Sequence, residues 1–118
     1  MTPINYKFND LDEARTLSVV MDQKMAALEK YLSANSSATC EVEFEKIGNH
    51  QHGRIYRVEA NISVDGTLFR AEATEDSFEK AIDEVRDELD KELRNAKDKR
   101  HTRDVAAGRA FKEQLASE

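Results

Sequence analysis

The sequence feature that most constrains the fold is a two-residue turn, Asp65-Gly66, between two segments of alternating polar and apolar residues. Aspartate followed by glycine favours a tight turn in which both central residues have positive φ, and such turns join antiparallel strands. The sequence therefore predicts a hairpin of residues 55–64 and 67–75 whose apolar side chains share one face. The predicted pairs on that face are Val64 with Thr67, Ile62 with Phe69, Ala60 with Ala71, and Val58 with Ala73.

Residues 76–103 follow the hairpin and have the periodicity of one long amphipathic helix. Asp76 followed by Glu79 resembles a capping box, and Ser77 is an alternative cap. The next segment is weakly patterned and contains Gly108, which we expect to interrupt any helix there. The sequence therefore predicts a single domain of residues 1–103 and a flexible C-terminal tail of residues 104–118. The apolar positions of the helix are Phe78, Ala81, Ile82, Val85, Leu89, Leu93 and Ala96.

Charge is distributed unevenly along this helix. Residues 76–90 carry seven acidic and two basic side chains, whereas residues 91–103 carry six basic and two acidic ones. This order complements the helix dipole, which favours acids at the N-terminus and bases at the C-terminus. The basic end is also where an anionic partner would dock on a protein whose formal net charge is −6.

The N-terminal part of the chain predicts two further strands and a second helix. Residues 3–8 and 38–47 alternate as half-buried strands. Residues 11–32 have a helical apolar stripe, in which we expect Met21 and Met25 to fill the core. The complete order is β-α-β-β-β-α, an α+β fold with a four-stranded mixed sheet and two helices packed on one face. The rule for β-α-β units predicts a right-handed crossing that leaves the first two strands parallel.

Composition and spacing exclude several classes of function. The chain has 118 residues and no apolar segment that would span a membrane or act as a signal peptide, so we expect a cytoplasmic protein. The single cysteine, Cys40, cannot form an internal disulfide and fits a reducing compartment. His50 and His52 lie in a loop, residues 48–54, without a third ligand nearby, so we expect that loop to be mobile and free of metal. With no glycine-rich phosphate loop and no nucleophile beside a base, we predict neither a cofactor nor a catalytic site.

Short motifs along the chain occur in an order that is typical of one family. The Asp-Gly hairpin is followed by a strand ending in Ala-Glu-Ala, by Glu75-Asp76-Ser77-Phe78, by Ala81-Ile82-Asp83, and by a lysine-rich helix end. Weaker matches are Ile4-x-Tyr6 and Lys24-x-x-x-Leu28-Glu29-Lys30-Tyr31. Over roughly residues 4–100, the chain resembles the short form of the ribosome hibernation-promoting factors, also called ribosome-associated inhibitors.

This resemblance implies a protein of stress or stationary phase that binds the small ribosomal subunit in the channel for mRNA and tRNA. Translation would be blocked sterically, no small-molecule substrate would be needed, and the protein would be monomeric away from the ribosome. Basic side chains of the two helices would contact the ribosomal RNA. The positions that match are Lys24, Lys30, Arg86, Lys91, Arg94, Lys97, Lys99 and Arg100.

The acidic first half of the second helix departs from the family pattern. Together with Glu41, Glu43 and Glu45 on the solvent face of a strand, it keeps a second hypothesis open: an acidic protein-interaction or regulatory domain on the same fold. An enzyme is the third and least favoured hypothesis, because the carboxylates lie on solvated faces without an adjacent histidine or serine.

Overall fold

The chain folds into four strands and two long helices in the predicted order. The computed structural model describes residues 2–9, 14–33, 36–48 and 53–116. The elements are β1 (Ile4–Asn9), α1 (Ala14–Ala26), a short 3-10 helix (Glu29–Tyr31), β2 (Ala38–Lys46), β3 (Tyr56–Val64), β4 (Thr67–Glu75) and α2 (Phe78–Ala116). The predicted α+β fold class is therefore confirmed.

The strands form one sheet in the order β1-β2-β3-β4, with β1 parallel to β2 and the other neighbours antiparallel. The hairpin has the predicted register, from Val64 opposite Thr67 to Val58 opposite Ala73. Asp65 has a φ of 48° and Gly66 a φ of 86°, the positive values that the turn requires. The prediction of the hairpin is therefore confirmed in both turn and register.

Both helices cover one face of this sheet and enclose a single core. Leu17, Met21 and Met25 of α1 are buried, as is Cys40 of β2. Leu89 of α2 is fully buried, so the helical phase predicted for residues 76–103 is confirmed through that position. The small side chains of β3 and β4 allow this close packing, because Ala60, Ala71 and Ala73 are buried beneath the helices.

The first helix is shorter than predicted for residues 11–32. The α-helical part ends at Ala26, and the chain then tightens, with hydrogen bonds from Leu28 N to Met25 O (3.0 Å) and from Tyr31 N to Leu28 O (3.1 Å). Leu28 stays buried in this arrangement, and the 3-10 helix lies against α2. The apolar spacing alone cannot distinguish the two helix types, because both place Leu28 over the core.

The second helix begins and ends differently from the sequence prediction. Ser77, and not Asp76, caps the helix, since its Oγ accepts a hydrogen bond from Lys80 N at 3.2 Å. Asp76 instead forms an ion pair with the side chain of Lys80. The expected interruption at Gly108 is wrong, because α2 continues to Ala116. A helix interior tolerates one glycine at a cost of about 1 kcal/mol, and the neighbouring residues are good helix formers. Flexibility of residues 104–118 remains a prediction.

The length of α2 gives the molecule its elongated shape. The helix has 39 residues, and the whole molecule measures 71 × 24 × 19 Å. Residues 101–110 are exposed throughout, so this part of the helix extends beyond the sheet. The predicted basic segment therefore lies where α2 leaves the core.

Candidate nucleic-acid interface

The middle of α2, residues 91–100, presents a dense group of cations to solvent. Lys91, Arg94, Lys97 and Lys99 are exposed, and Arg100 is half-buried. Lys91, Arg94 and Lys97 follow one another at intervals of three residues, so they share one strip on the helix surface. The structure thus brings together the five predicted α2 residues from Lys91 onward where the helix leaves the core.

Two of these cations also hold the 3-10 helix in place. Lys97 Nζ donates to the carbonyl oxygen of Lys30 at 3.1 Å, and Arg100 donates to that of Tyr31 at 3.2 Å. A positive charge is favourable beside the terminal carbonyls of a helix, which lack intrahelical donors. These contacts bring Lys30 to the basic middle of α2, and its ammonium lies 5.1 Å from the centre of the Tyr31 ring.

Tyr31 is the residue of this region whose role the sequence did not reveal. Its hydroxyl donates to Asp90 Oδ1 at 2.8 Å, while its carbonyl accepts from Arg100. Asp90 also pairs with Arg94 at 3.6 Å, on the next turn of α2. The only sequence signals were its position at the edge of the apolar stripe and its place in the family-like motif. Neither indicates which partner its hydroxyl has.

Lys24 and Arg86, the remaining predicted residues, are not part of this group. Lys24 Nζ lies 2.8 Å from Asp83 Oδ1, and Arg86 lies 2.7 Å from Asp87. The hydrogen bond from Lys24 lowers the pKa of Asp83, and the bond to Asp87 raises the pKa of Arg86. The ion pair with Lys24 balances the charge of Asp83. Each of these two cations is therefore paired with a carboxylate of α2.

By contrast, the exposed cations of α2 from Lys91 to Lys99 have few carboxylate partners that would compete with a phosphate. In the part of the chain that the structure describes, Lys91, Lys97 and Lys99 form no ion pair, and that of Arg94 is long and exposed. An exposed pair of this kind contributes roughly 0–1 kcal/mol, so a phosphate can replace it at little cost. We call Lys30, Lys91, Arg94, Lys97, Lys99 and Arg100 the basic surface.

The solvent face of the sheet carries a compensated charge network rather than a bare acidic surface. Arg57 bonds to Glu43 (2.9 Å), Glu45 (3.4 Å), Glu59 and Glu72 (3.1 Å). The hydrogen bond from Arg57 lowers the pKa of Glu72, and a bond from Asn61 lowers that of Glu59. Arg70 joins the same network through Glu59 and Glu72. Much of the acidity that supports the protein-interaction hypothesis is thus paired internally.

In residues 2–9, 14–33, 36–48 and 53–116, no group of three His, Cys, Asp or Glu side chains has an arrangement that could hold a metal ion. His50 and His52 lie outside the described residues, so the prediction for their loop stays untested. Cys40 is buried, and burial raises the pKa of its thiol to about 12, which opposes thiolate chemistry. Among the helices described, none is both long and apolar enough to cross a bilayer.

Comparison with known proteins identifies one matching family and solved structures of similar fold. The family described as sigma 54 modulation protein / S30EA ribosomal protein matches residues 4–101. The N-terminal domain of Protein Y from Thermus thermophilus superposes with a TM-score of 0.67 at 20% identity, covering 80% of this chain and 98% of that one. A ribosomal subunit interface protein from Coxiella burnetii gives a TM-score of 0.60 at 20% identity, with 80% and 96% covered. A search of curated proteins gives no match.

Proposed function

This chain belongs to the family of sigma 54 modulation proteins and S30EA ribosomal proteins, and from that membership we propose that it binds the ribosome and silences translation. The resemblance to hibernation-promoting factors noted from the sequence is confirmed at the level of the family. A protein named for the ribosomal subunit interface shares the fold, which supports a ribosomal partner.

We propose that the basic surface contacts phosphates of ribosomal RNA on the small subunit. The observation that carries this proposal is the convergence of two chain segments: Lys97 and Arg100 of α2 fix the segment that carries Lys30. A preorganised cluster of this kind suits recognition of a folded RNA backbone, where phosphate contacts supply affinity and shape supplies specificity. Binding is local, because the acidic first half of α2 would repel phosphate.

The proposed mechanism is steric. The molecule is 71 Å long but only 24 × 19 Å in cross-section, a shape that fits an extended channel. A protein seated in the channel for mRNA and tRNA excludes both, and no covalent step is needed. In this proposal the chain acts in the cytoplasm and is not an enzyme.

Sedimentation with purified ribosomal subunits tests this proposal. We expect the protein to migrate with the small subunit, to remain in the free fraction with the large subunit alone, and to be excluded when mRNA and tRNA are bound first. Migration with neither subunit would contradict a ribosomal function, and migration that bound tRNA leaves unchanged would contradict the steric mechanism.

A further inference from the structure

A groove lies beneath α2 where the helix leaves the sheet, on the side turned toward the β3–β4 hairpin. It has a volume of about 280 Å³. Its floor is apolar and includes the half-buried Leu32 and Phe69. Its rim carries three cations of α2: Lys99, Arg100 and Arg103. The groove is therefore separate from the strip of Lys91, Arg94 and Lys97, yet it adjoins the same part of α2.

The charges around the groove favour an anionic occupant. Among the described residues that line the groove, Asp65 is the one acid. Its Oδ1 already accepts a hydrogen bond from Ser37 N at 2.8 Å, which joins the hairpin turn to the segment before β2. Arg100 donates to the carbonyl of Tyr31, which leaves its remaining guanidinium donors available. Lys99 and Arg103 are exposed and form no ion pair in the described part of the chain. A ligand seated here would meet cations at the rim and apolar side chains below.

We propose that this groove holds one unpaired nucleotide of a single-stranded RNA segment. An aromatic and aliphatic floor beneath a cationic rim is the arrangement that binds a base by stacking while cations hold its phosphate. The volume of about 280 Å³ is close to the lower limit of roughly 300 Å³ for small-molecule pockets, so the groove suits one nucleotide and not several. The assignment rests on the proposed function, because it adds a base-dependent contact to the phosphate contacts of the basic surface.

One substitution fills the groove without touching its charges. Ala96 lines the groove from α2, and leucine in its place would occupy the space above the floor while preserving helix propensity. Asn95 is exposed on the same helix and does not line the groove, so Asn95→Leu is a matched control of equal bulk. Circular dichroism and thermal unfolding would establish that both variants fold.

The experiment measures binding of the full chain to a fluorescent single-stranded RNA dodecamer and to an abasic backbone of the same length. For the wild-type protein we expect affinity for the base-containing strand to be about tenfold higher, the size of one stacking contact. Ala96→Leu should abolish this difference and leave abasic binding unchanged, while Asn95→Leu should behave as wild type. Equal wild-type affinity for both strands, or equal loss of both in Ala96→Leu, would overturn the assignment.

Two competitors identify the class of occupant. Displacement of the dodecamer by a short polyglutamate peptide, lost in Ala96→Leu, would assign the groove to an acidic protein segment and overturn the proposal. If adenosine monophosphate alone bound as tightly as the dodecamer, the groove would be assigned to a free nucleotide, which would also overturn the proposal. A chain that binds RNA in a base-dependent way but does not sediment with ribosomes would refute the proposed function and leave the assignment of the groove intact. A chain that sediments with ribosomes but shows no base-dependent binding would refute only the assignment of the groove.

Discussion

A hydrogen bond of 2.8 Å joins the hydroxyl of Tyr31 to Asp90 Oδ1, although the two residues are 59 positions apart in the chain. Arg100, which lies on the same helix as Asp90, donates to the carbonyl oxygen of Tyr31. The side chain and the backbone of Tyr31 are therefore both held against α2. These two hydrogen bonds, which we call the Tyr31 brace, fix the segment that carries Lys30 against the middle of α2. The geometry of the basic surface therefore depends on a neutral side chain that contacts no phosphate in our proposal.

Tyr31→Phe removes the hydroxyl and keeps the ring. We expect the free energy of unfolding to fall by about 0.5–1.5 kcal/mol, the usual net value of one hydrogen bond, and ribosome affinity to fall with it. Urea denaturation and sedimentation measure the two effects. Tyr56→Phe is the control, because no hydrogen bond of its hydroxyl is found in the described part of the chain. Equal losses in both variants would contradict a specific role for the brace.

Leu89 tests whether α2 packs on the core in the phase described. Its side chain is 0% exposed, whereas that of Leu68 on the solvent face of the sheet is 63% exposed. We expect Leu89→Ala to lower the free energy of unfolding by about 2–5 kcal/mol and Leu68→Ala to change it by at most about 0.5 kcal/mol. A loss at Leu89 as small as that at Leu68 would show that α2 packs in a different phase.

Glu92 provides a prediction on pH dependence. Burial, together with the neighbouring Glu88, raises the pKa of its carboxyl. The pKa is therefore higher in the folded than in the unfolded state, so the ionised group destabilises the fold at neutral pH and the penalty vanishes as pH falls through the raised pKa. We expect Glu92→Gln to be more stable than wild type at pH 7 but not near about pH 4.

Urea unfolding at the two pH values measures this difference, and Glu84→Gln, an exposed glutamate on the same helix, is the control. A gain of equal size in both variants would reflect net charge alone. A gain at Glu92 that persists unchanged at acid pH would show that the carboxyl is not destabilised by its surroundings.

Gly108 tests whether the helix continues to Ala116. A Cβ at this position would meet no atom within 4 Å, so alanine fits without repacking. We expect Gly108→Ala to stabilise the end of α2 by about 1 kcal/mol and to raise helical circular dichroism, because alanine has the higher helix propensity. Unchanged helicity would mean that residues after Gly108 are not helical in solution, as the sequence pattern suggested.

The hairpin and the Tyr31 brace show where the sequence was sufficient and where it was not. The register around Asp65-Gly66 follows from local turn chemistry and a period of two, both of which are visible in the sequence. The pairing of Lys24 with Asp83 and the hydrogen bond from Tyr31 to Asp90 each join the first helical region to α2. Contacts of that kind depend on how the two helices are placed on the sheet, which charge counting cannot supply.

The same difference between local signals and contacts of distant segments explains which parts of the candidate site could be predicted. The cluster of basic residues on α2 was predicted because its members are close together in the sequence and share one helix. Lys24 and Arg86 were included by family resemblance, and the sequence did not show that each lies beside a carboxylate, Asp83 and Asp87 respectively. The groove was not predicted, since its lining comes from the 3-10 helix, two strands and α2.

The salt dependence of ribosome binding tests the central claim most directly. Lys91→Ala and Arg94→Ala together remove two cations of the basic surface and favour helix formation. Lys7→Ala and Arg70→Ala remove two cations from the solvent face of the sheet, where the side chains are 70% and 57% exposed, and form a control of equal net charge.

Binding of the small subunit is measured by sedimentation over a series of salt concentrations. Each lost phosphate contact should reduce the slope of log affinity against log salt by roughly 0.7–0.9, so we expect a shallower slope and weaker binding for the α2 variant. The sheet variant should retain the wild-type slope. An α2 variant that matches wild type at every salt concentration would contradict the role of the basic surface.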